Sequence, residues 1–355
     1  MPKRLLVINP GSTSTKVSVF EDKKQVLDET LRHTADELSE FTSTCSQKDF
    51  RKNLIEQMLI ENNFQIEDFD AIVGRGGMVR PLHSGTYKVT DKLLDDLINA
   101  RYGEHASNLG AILGNELAKD AGCDAFISDP VVVDELQDIA RISGSPLMPR
   151  KTGFHALNQK ATARKYCEET KQDYKNIKII ICHMGGGISV GVHKDGKIID
   201  VNNCINGTGP FSPERAGTLP ADDLVNLCFS EKYTEYEIKK MINGKGGLMA
   251  HIGMNQAHHV VEKIKNGDTH AELILNAMAY NIAKEIGAAA TVLEGKVDAI
   301  LLTGGIAHND YVCSRVIKSI EFIAPVKRYP GEDEMSALAD NTLRILNGEE
   351  EIMIY

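Results

Sequence analysis

Asn9-Pro10-Gly11-Ser12-Thr13-Ser14-Thr15-Lys16 is the stretch whose residue types and spacing could do chemistry most directly. Backbone N–H groups in a tight turn, with the hydroxyls of Ser12 and Ser14, can point at one spot and hold an anion. Lys16 adds a mobile positive charge. The pattern is not a P-loop, which needs Gly-Lys-Ser/Thr opening a helix. Three more glycine-rich turns follow apolar runs: Gly74-Arg75-Gly76-Gly77, Met184-Gly185-Gly186-Gly187 and Thr303-Gly304-Gly305. Glycines let backbone approach a ligand closely. Arg75, set among them, suits a planar, bidentate grip on carboxylate or phosphate.

The elements around these turns follow from hydrophobic periodicity. Residues 4–10, 15–21 and 24–32 are expected to form a three-strand meander, so the first loop is a hairpin tip. Phe50, Leu54, Met58 and Leu59 give a helix over 47–61. Ala71-Ile72-Val73 is a short buried strand, 106–121 a helix, and Ala125-Phe126-Ile127 a strand broken at Asp129-Pro130. Pro and Gly density makes 143–153 the linker candidate. A helix over 156–169 follows, and then the opening plan recurs. Ile177–Cys182, Ile188–His193 and Lys197–Val201 are strands, with Asp195-Gly196 as a hairpin turn. A long helix over 270–293 leads to a strand at Val297–Leu302. The chain ends with the apolar Ile320–Ala324, an acidic loop and a helix at about 334–347.

Two α/β halves of one plan, each opening at a glycine-rich turn, imply phosphate cradles facing each other across a cleft. Ligands also collect at strand ends in doubly wound sheets. The expected domains are 1–150 and 151–333, with 334–355 packing back on the first. A net charge of −10 over 355 residues argues against a nucleic-acid or anionic-membrane partner. No apolar run reaches membrane length. Seven scattered cysteines without a C-x-x-C pair fit reduced thiols in the cytoplasm rather than disulfides or zinc.

Six motifs then stand in order: Asn9-Pro-Gly-Ser-x-Ser-x-Lys16, Gly74-Arg-Gly-Gly77, Phe154-His155-Ala156, His183-Met-Gly-Gly-Gly187, Ser212-Pro-Glu-Arg-Ala-Gly217 and Thr303-Gly-Gly-Ile306. In this the chain resembles the acetate and butyrate kinases of the actin-like ATPase superfamily, from residue 4 to about 346. Gly-Arg-Gly-Gly, Ser-Asp-Pro-Val and Ser-Pro-Glu-Arg side with the butyrate spelling. The resemblance implies an α/β fold of duplicated ribonuclease-H-like (actin/hexokinase-type) domains with an interdomain cleft. It also implies reversible phosphoryl transfer between ATP and a short-chain fatty acid, giving acyl phosphate and ADP. An acetate or propionate kinase, or more remotely a sugar kinase with Asp129 as base, stays as the alternative.

The roles that follow are those the resemblance implies. Arg75 binds the acid's carboxylate, with His105 as a second substrate contact. Arg215 stabilises the transferring phosphoryl, with Glu214 as its orienter, and His155 contacts that phosphoryl. Asp129 faces the substrate. Asn9, Asp129 and Glu334 serve Mg²⁺, with Glu332 close enough to compete for the place of Glu334. Asn9, Ser12, Ser14, Lys16, His183, Gly185, Gly186, Gly187, Gly304 and Gly305 meet the nucleotide. Gly244-Lys245-Gly246-Gly247 has no role beyond a nucleotide contact. A homodimer or higher homo-oligomer is the family's habit.

Overall fold

The computed structural model describes residues 2–355. Twelve strands are β1 (Arg4–Pro10), β2 (Ser14–Glu21), β3 (Lys24–Arg32), β4 (Ala71–Arg75), β5 (Thr86–Lys88), β6 (Asp124–Ser128), β7 (Lys178–Met184), β8 (Ile188–Lys194), β9 (Lys197–Val201), β10 (Ala299–Gly304), β11 (Val326–Pro330) and β12 (Met353–Ile354). They form a seven-stranded sheet ordered β12-β5-β6-β4-β1-β2-β3 and a five-stranded sheet ordered β11-β10-β7-β8-β9. The chain divides into two compact units. One is residues up to Val133 with Asp333–Tyr355, and the other is Asp134–Glu332. Residues 143–153 therefore lie inside the second unit.

The duplicated plan is visible in the pairing. β1-β2-β3 is an antiparallel meander whose first strand pairs in parallel with β4, and β4 with β6. β7-β8-β9 repeats it, with β7 parallel to β10 and β10 to β11. Central strands covered on both faces read as unbroken apolar runs. Leu5–Ile8 on β1 and Ile179–Cys182 on β7 are accordingly shut off from solvent.

In the first unit the helix Asn108–Ala121 packs on β4. Its closeness explains two glycines: a Cβ on Gly74 would sit 2.0 Å from the Gly110 carbonyl oxygen. Gly76 is pressed on Pro130, and Gly77 on Asn108, in the same way. Gly74 thus serves close packing on the Gly110 backbone, and Gly76 and Gly77 close packing on Pro130 and Asn108. Gly122, at φ +70°, ends that helix in the left-handed conformation. The last helix, Glu334–Leu346, packs on β1, β4 and β6.

In the second unit the helix Thr269–Val292 is capped by Asp268, whose side chain accepts from Ala271 N at 2.9 Å. Leu275, Met278, Ile282 and Ile286 bury one stripe of it in the core. The stretch around Ile320–Ala324 is not an element of its own. Ile320 closes the helix Asp310–Ile320, and the strand comes later, at β11. No helix among the described residues is long and apolar enough to cross a membrane.

A buried histidine makes the first unit sensitive to acid. His33 Nε2 lies 2.9 Å from Thr15 Oγ1, and its ring packs edge-on to Phe50. Burial, then the nearby Arg51 guanidinium, lower its pKa from 6.5 to about 4. The unfolded chain thus takes up a proton between pH 6.5 and 4 that the native state refuses. The stabilisation is complete above pH 6.5 and is lost as pH falls towards 4. Thermal unfolding of His33→Phe should be less acid-sensitive over that window than the wild type. Parallel Tm-against-pH curves would contradict this.

Candidate active site

The Gly11–Ser14 loop is a hairpin tip, with Asn9 opposite Lys16 and Pro10 opposite Thr15. Gly11 N donates to Ser14 O at 2.7 Å. The charge beneath it is not Lys16, whose ammonium is paired with Asp28 at 3.1 Å on β3. It is Arg51, fully buried in the helix Lys48–Glu61. Arg51 Nη1 donates to Gly11 O, Ser14 O and Thr15 Oγ1, and Nη2 to Ser12 O at 3.2 Å. Gln47 Oε1 accepts from the same guanidinium. Arg51 thus takes up the loop's carbonyl oxygens. Burial lowers its pKa to about 10, well above neutrality, so it stays charged.

Just before the tip on β1, Asn9 Nδ2 donates to Glu334 Oε2 at 2.8 Å. Arg75 Nη1, from the end of β4, meets the same oxygen at 2.9 Å. The fold thus brings three residues distant in sequence, Asn9, Arg75 and Glu334, to one point. Glu334 begins its helix just after the Asp333 N-cap, whose side chain accepts from Ser336 N.

Asp129 follows β6 with φ +41°, a left-handed conformation rare outside glycine. Its Oδ1 accepts from Ser84 Oγ at 2.6 Å and Gly85 N at 2.9 Å, and its Oδ2 from Asn341 Nδ2 at 3.2 Å. Three donors hold this buried carboxylate in one orientation. His105 lies exposed before the helix Asn108–Ala121, where its Nδ1 accepts from Ser107 N at 3.1 Å.

In the second unit the glycine turn between β7 and β8 is a platform. A Cβ on Gly187 would fall 1.9 Å from Arg215 Nη1, so the guanidinium lies where a side chain would stand. Arg215 Nη1 donates to Cys204 O at 3.1 Å and Sγ at 3.3 Å. Glu214 does not orient it. Glu214 Oε1 accepts instead from Asn255 Nδ2 at 2.7 Å.

The Ser212–Ala216 loop is braced by Gly244-Lys245-Gly246-Gly247. Gly244 N and Gly246 N donate to Glu214 O, and Leu248 N to Ser212 O. Gly247, at φ +60°, is pressed on Ser212 O, where a Cβ would sit at 1.7 Å. That gives this segment a scaffolding role the sequence did not reveal.

His155 is the N-cap residue of the helix Ala156–Thr170. Its ring stacks on that of His183, with centroids 3.7 Å apart and 13° between planes. His183 is buried, with Nδ1 2.8 Å from Asn158 Oδ1 and Nε2 3.1 Å from Glu332 Oε1. Glu332 and Glu334, two residues apart, thus belong to different groups: Glu332 to His183, Glu334 to Asn9 and Arg75.

Beside this pair an open cavity of about 390 Å³ is lined by Gly185, Gly186, Glu214, Gly305, Asn309 and Glu332 among others. Gly304, at φ +86°, abuts Met184 O, where a Cβ would sit at 2.5 Å, whereas Gly305 faces open space. The volume is that of a small-molecule site. Among the described residues no group of three or more His, Cys, Asp or Glu side chains is arranged to cage a metal.

Comparison with known proteins agrees with this architecture. The acetokinase family is matched over residues 144–326. Butyrate kinase 2 of Clostridium acetobutylicum is 56% identical over 100% of both chains. Butyrate kinase 1 of the same organism is 52% identical over 99% of each. The acetate kinase structure from Porphyromonas gingivalis superposes with a TM-score of 0.79 at 21% identity, covering 97% of this chain and 100% of that one, and shows a shared actin-like α/β fold. The chain therefore belongs to the acetokinase family, within its butyrate kinase branch.

Proposed function

We propose that this protein transfers the γ-phosphoryl of ATP, reversibly, to the carboxylate of a four-carbon fatty acid, giving acyl phosphate and ADP. The observation that carries the reading is the placement of Arg215 on Gly187, beside the 390 Å³ cavity and the glycine turn. A guanidinium held by Cys204 and the turn is pre-aimed at developing phosphoryl charge. In this reading the second unit takes the nucleotide through Gly185, Gly186, Gly187, Gly304 and Gly305, while His155 donates to a phosphoryl oxygen. The first unit takes the acid, with Arg75 as the fork for its carboxylate and His105 at the same substrate.

A carboxylate is already ionised, so no base is required, and catalysis is positioning and charge neutralisation. Glu334 limits how tightly Arg75 can hold the acid, because both anions compete for one guanidinium. Mg²⁺, carried on the nucleotide phosphates, supplies further charge neutralisation. It takes one or two protein oxygens plus waters and phosphates rather than a cage. The hard oxygens of Asn9, Asp129 and Glu334 fit that mode and would hold the ion, Asn9 and Arg75 both meeting Glu334 at Oε2 and not at Oε1. A homo-oligomer in the cytoplasm completes the proposal.

The test is a hydroxamate assay with ATP, Mg²⁺ and acetate, propionate, butyrate, isobutyrate or isovalerate. kcat/KM should peak at four carbons and exceed that for acetate by at least about 10-fold, since one methylene is worth about 1–3 kcal/mol. A peak at acetate would overturn the choice of acid.

A further inference from the structure

A buried hydrogen-bond chain in the second unit runs from Tyr174 to His155, and its direction can be deduced atom by atom as far as Ser189. Gln159 Nε2 lies 3.2 Å from the Ser189 carbonyl oxygen. A carbonyl only accepts, which fixes which end of the amide faces Ser189. Gln159 Oε1 must then face His193 Nε2, 3.0 Å away, and that nitrogen must carry a proton. His193 is wholly buried, and burial followed by Lys160 keeps its pKa well below the ordinary histidine value, so the ring is neutral. Its Nδ1 is therefore an acceptor, taking the Tyr174 hydroxyl proton at 2.7 Å.

On the other side, Gln159 Nε2 also donates to Ser189 Oγ at 2.9 Å. Ser189 is buried, and His155 Nδ1 lies 3.0 Å from its Oγ, within reach of the hydroxyl proton. Cys204 Sγ, 3.8 Å from the same nitrogen, is a thiol whose pKa is pushed up to about 11, so it too offers a proton rather than a charge. Room for the chain is built in. A Cβ on Gly191 would lie 2.1 Å from Gln159 Oε1.

We propose that Tyr174, His193, Gln159 and Ser189 are positioning residues that hold His155 in its Nε2–H tautomer. Each link passes orientation, not a proton, because the Gln159 amide cannot relay one. His155 thus presents an N–H donor at Nε2. The catalytic meaning of this rests on the reading that His155 contacts the transferred phosphoryl.

The experiment is nitrogen-15 NMR of histidine-labelled protein, with the His155 signals assigned by their loss in His155→Gln. Long-range correlations distinguish the two neutral tautomers. Wild-type protein at pH 8 should show protonated Nε2 and bare Nδ1 at His155. The Nδ1–H tautomer there would overturn the proposal, whatever the activity. Ser189→Ala should move His155 towards a mixture of tautomers and lower kcat roughly 10-fold with KM for ATP nearly unchanged. Gly191→Ala, which displaces Gln159, should move the same signals. An unchanged His155 spectrum in folded Ser189→Ala would also overturn it. Full activity in His155→Gln would overturn the phosphoryl-contact reading alone, since the tautomer measurement does not depend on turnover.

Discussion

Arg215→Ala is expected to lower kcat roughly 10³-fold in both directions, the scale seen when an arginine that neutralises a transferring phosphoryl is removed. KM for ATP should change little, because the loss falls on charge that develops in the transition state. The fold should survive. The Ser212–Ala216 loop is held by backbone bonds from Gly244, Gly246 and Leu248, none of which uses the guanidinium. What is lost structurally is the donation from Arg215 Nη1 to Cys204 O and Sγ. Cys204 is buried, so losing this one donor should cost about 1–3 kcal/mol. Arg215→Lys should recover little, because an ammonium lacks the planar fork. Steady-state kinetics beside thermal unfolding checks this. Near wild-type turnover in a folded Arg215→Ala would remove Arg215 from the mechanism.

Arg75→Ala should act on the other substrate. Losing a bidentate, charge-assisted grip costs about 3 kcal/mol, so kcat/KM for the acid should fall on the order of 100-fold. Part of this should appear as a raised KM for the acid, which distinguishes it from Arg215→Ala. The Arg75–Glu334 pair is partly exposed, with side chains 27% and 15% accessible, so its loss should cost no more than about 1 kcal/mol of stability. Removing the arginine also leaves Glu334 held by Asn9, with an extra net negative charge where an anion must bind. Double replacement of Arg75 and Glu334 should therefore recover some affinity for the acid relative to Arg75→Ala. Unchanged acid kinetics in Arg75→Ala would contradict its role.

Much of this arrangement was legible because it is written in local signals. The hairpin tip at Asn9–Lys16, the two meanders and the glycine turn at 185–187 follow from period-two strands and turn residues, and the structure has them within a residue or two. The resemblance to butyrate kinases is borne out by full-length relatives at 52–56% identity.

What stayed hidden depends on pairing distant residues. Arg51 reads as one charged residue in a helix, and nothing nearby announces that it is buried under a loop nearly forty residues earlier. Gly244–Gly247 reads as a loop with no role beyond a nucleotide contact because its partner, the Ser212 loop, is set by tertiary packing. Gly76 and Gly77 read as room for a ligand when the room is filled by Pro130 and Asn108. β5 and β12 are three and two residues long, too short for periodicity to register. The chain's return to the first unit at Asp333 separates Glu332 from Glu334, which spacing alone could not do.

Phosphorus-31 NMR of the protein with ATP, Mg²⁺ and butyrate tests the central claim most directly. The account predicts that ADP and an acyl phosphate signal grow together in equal amounts, only when the acid is present, and that ADP with the isolated acyl phosphate regenerates ATP. Release of ADP with inorganic phosphate alone, at a rate indifferent to butyrate, would contradict it.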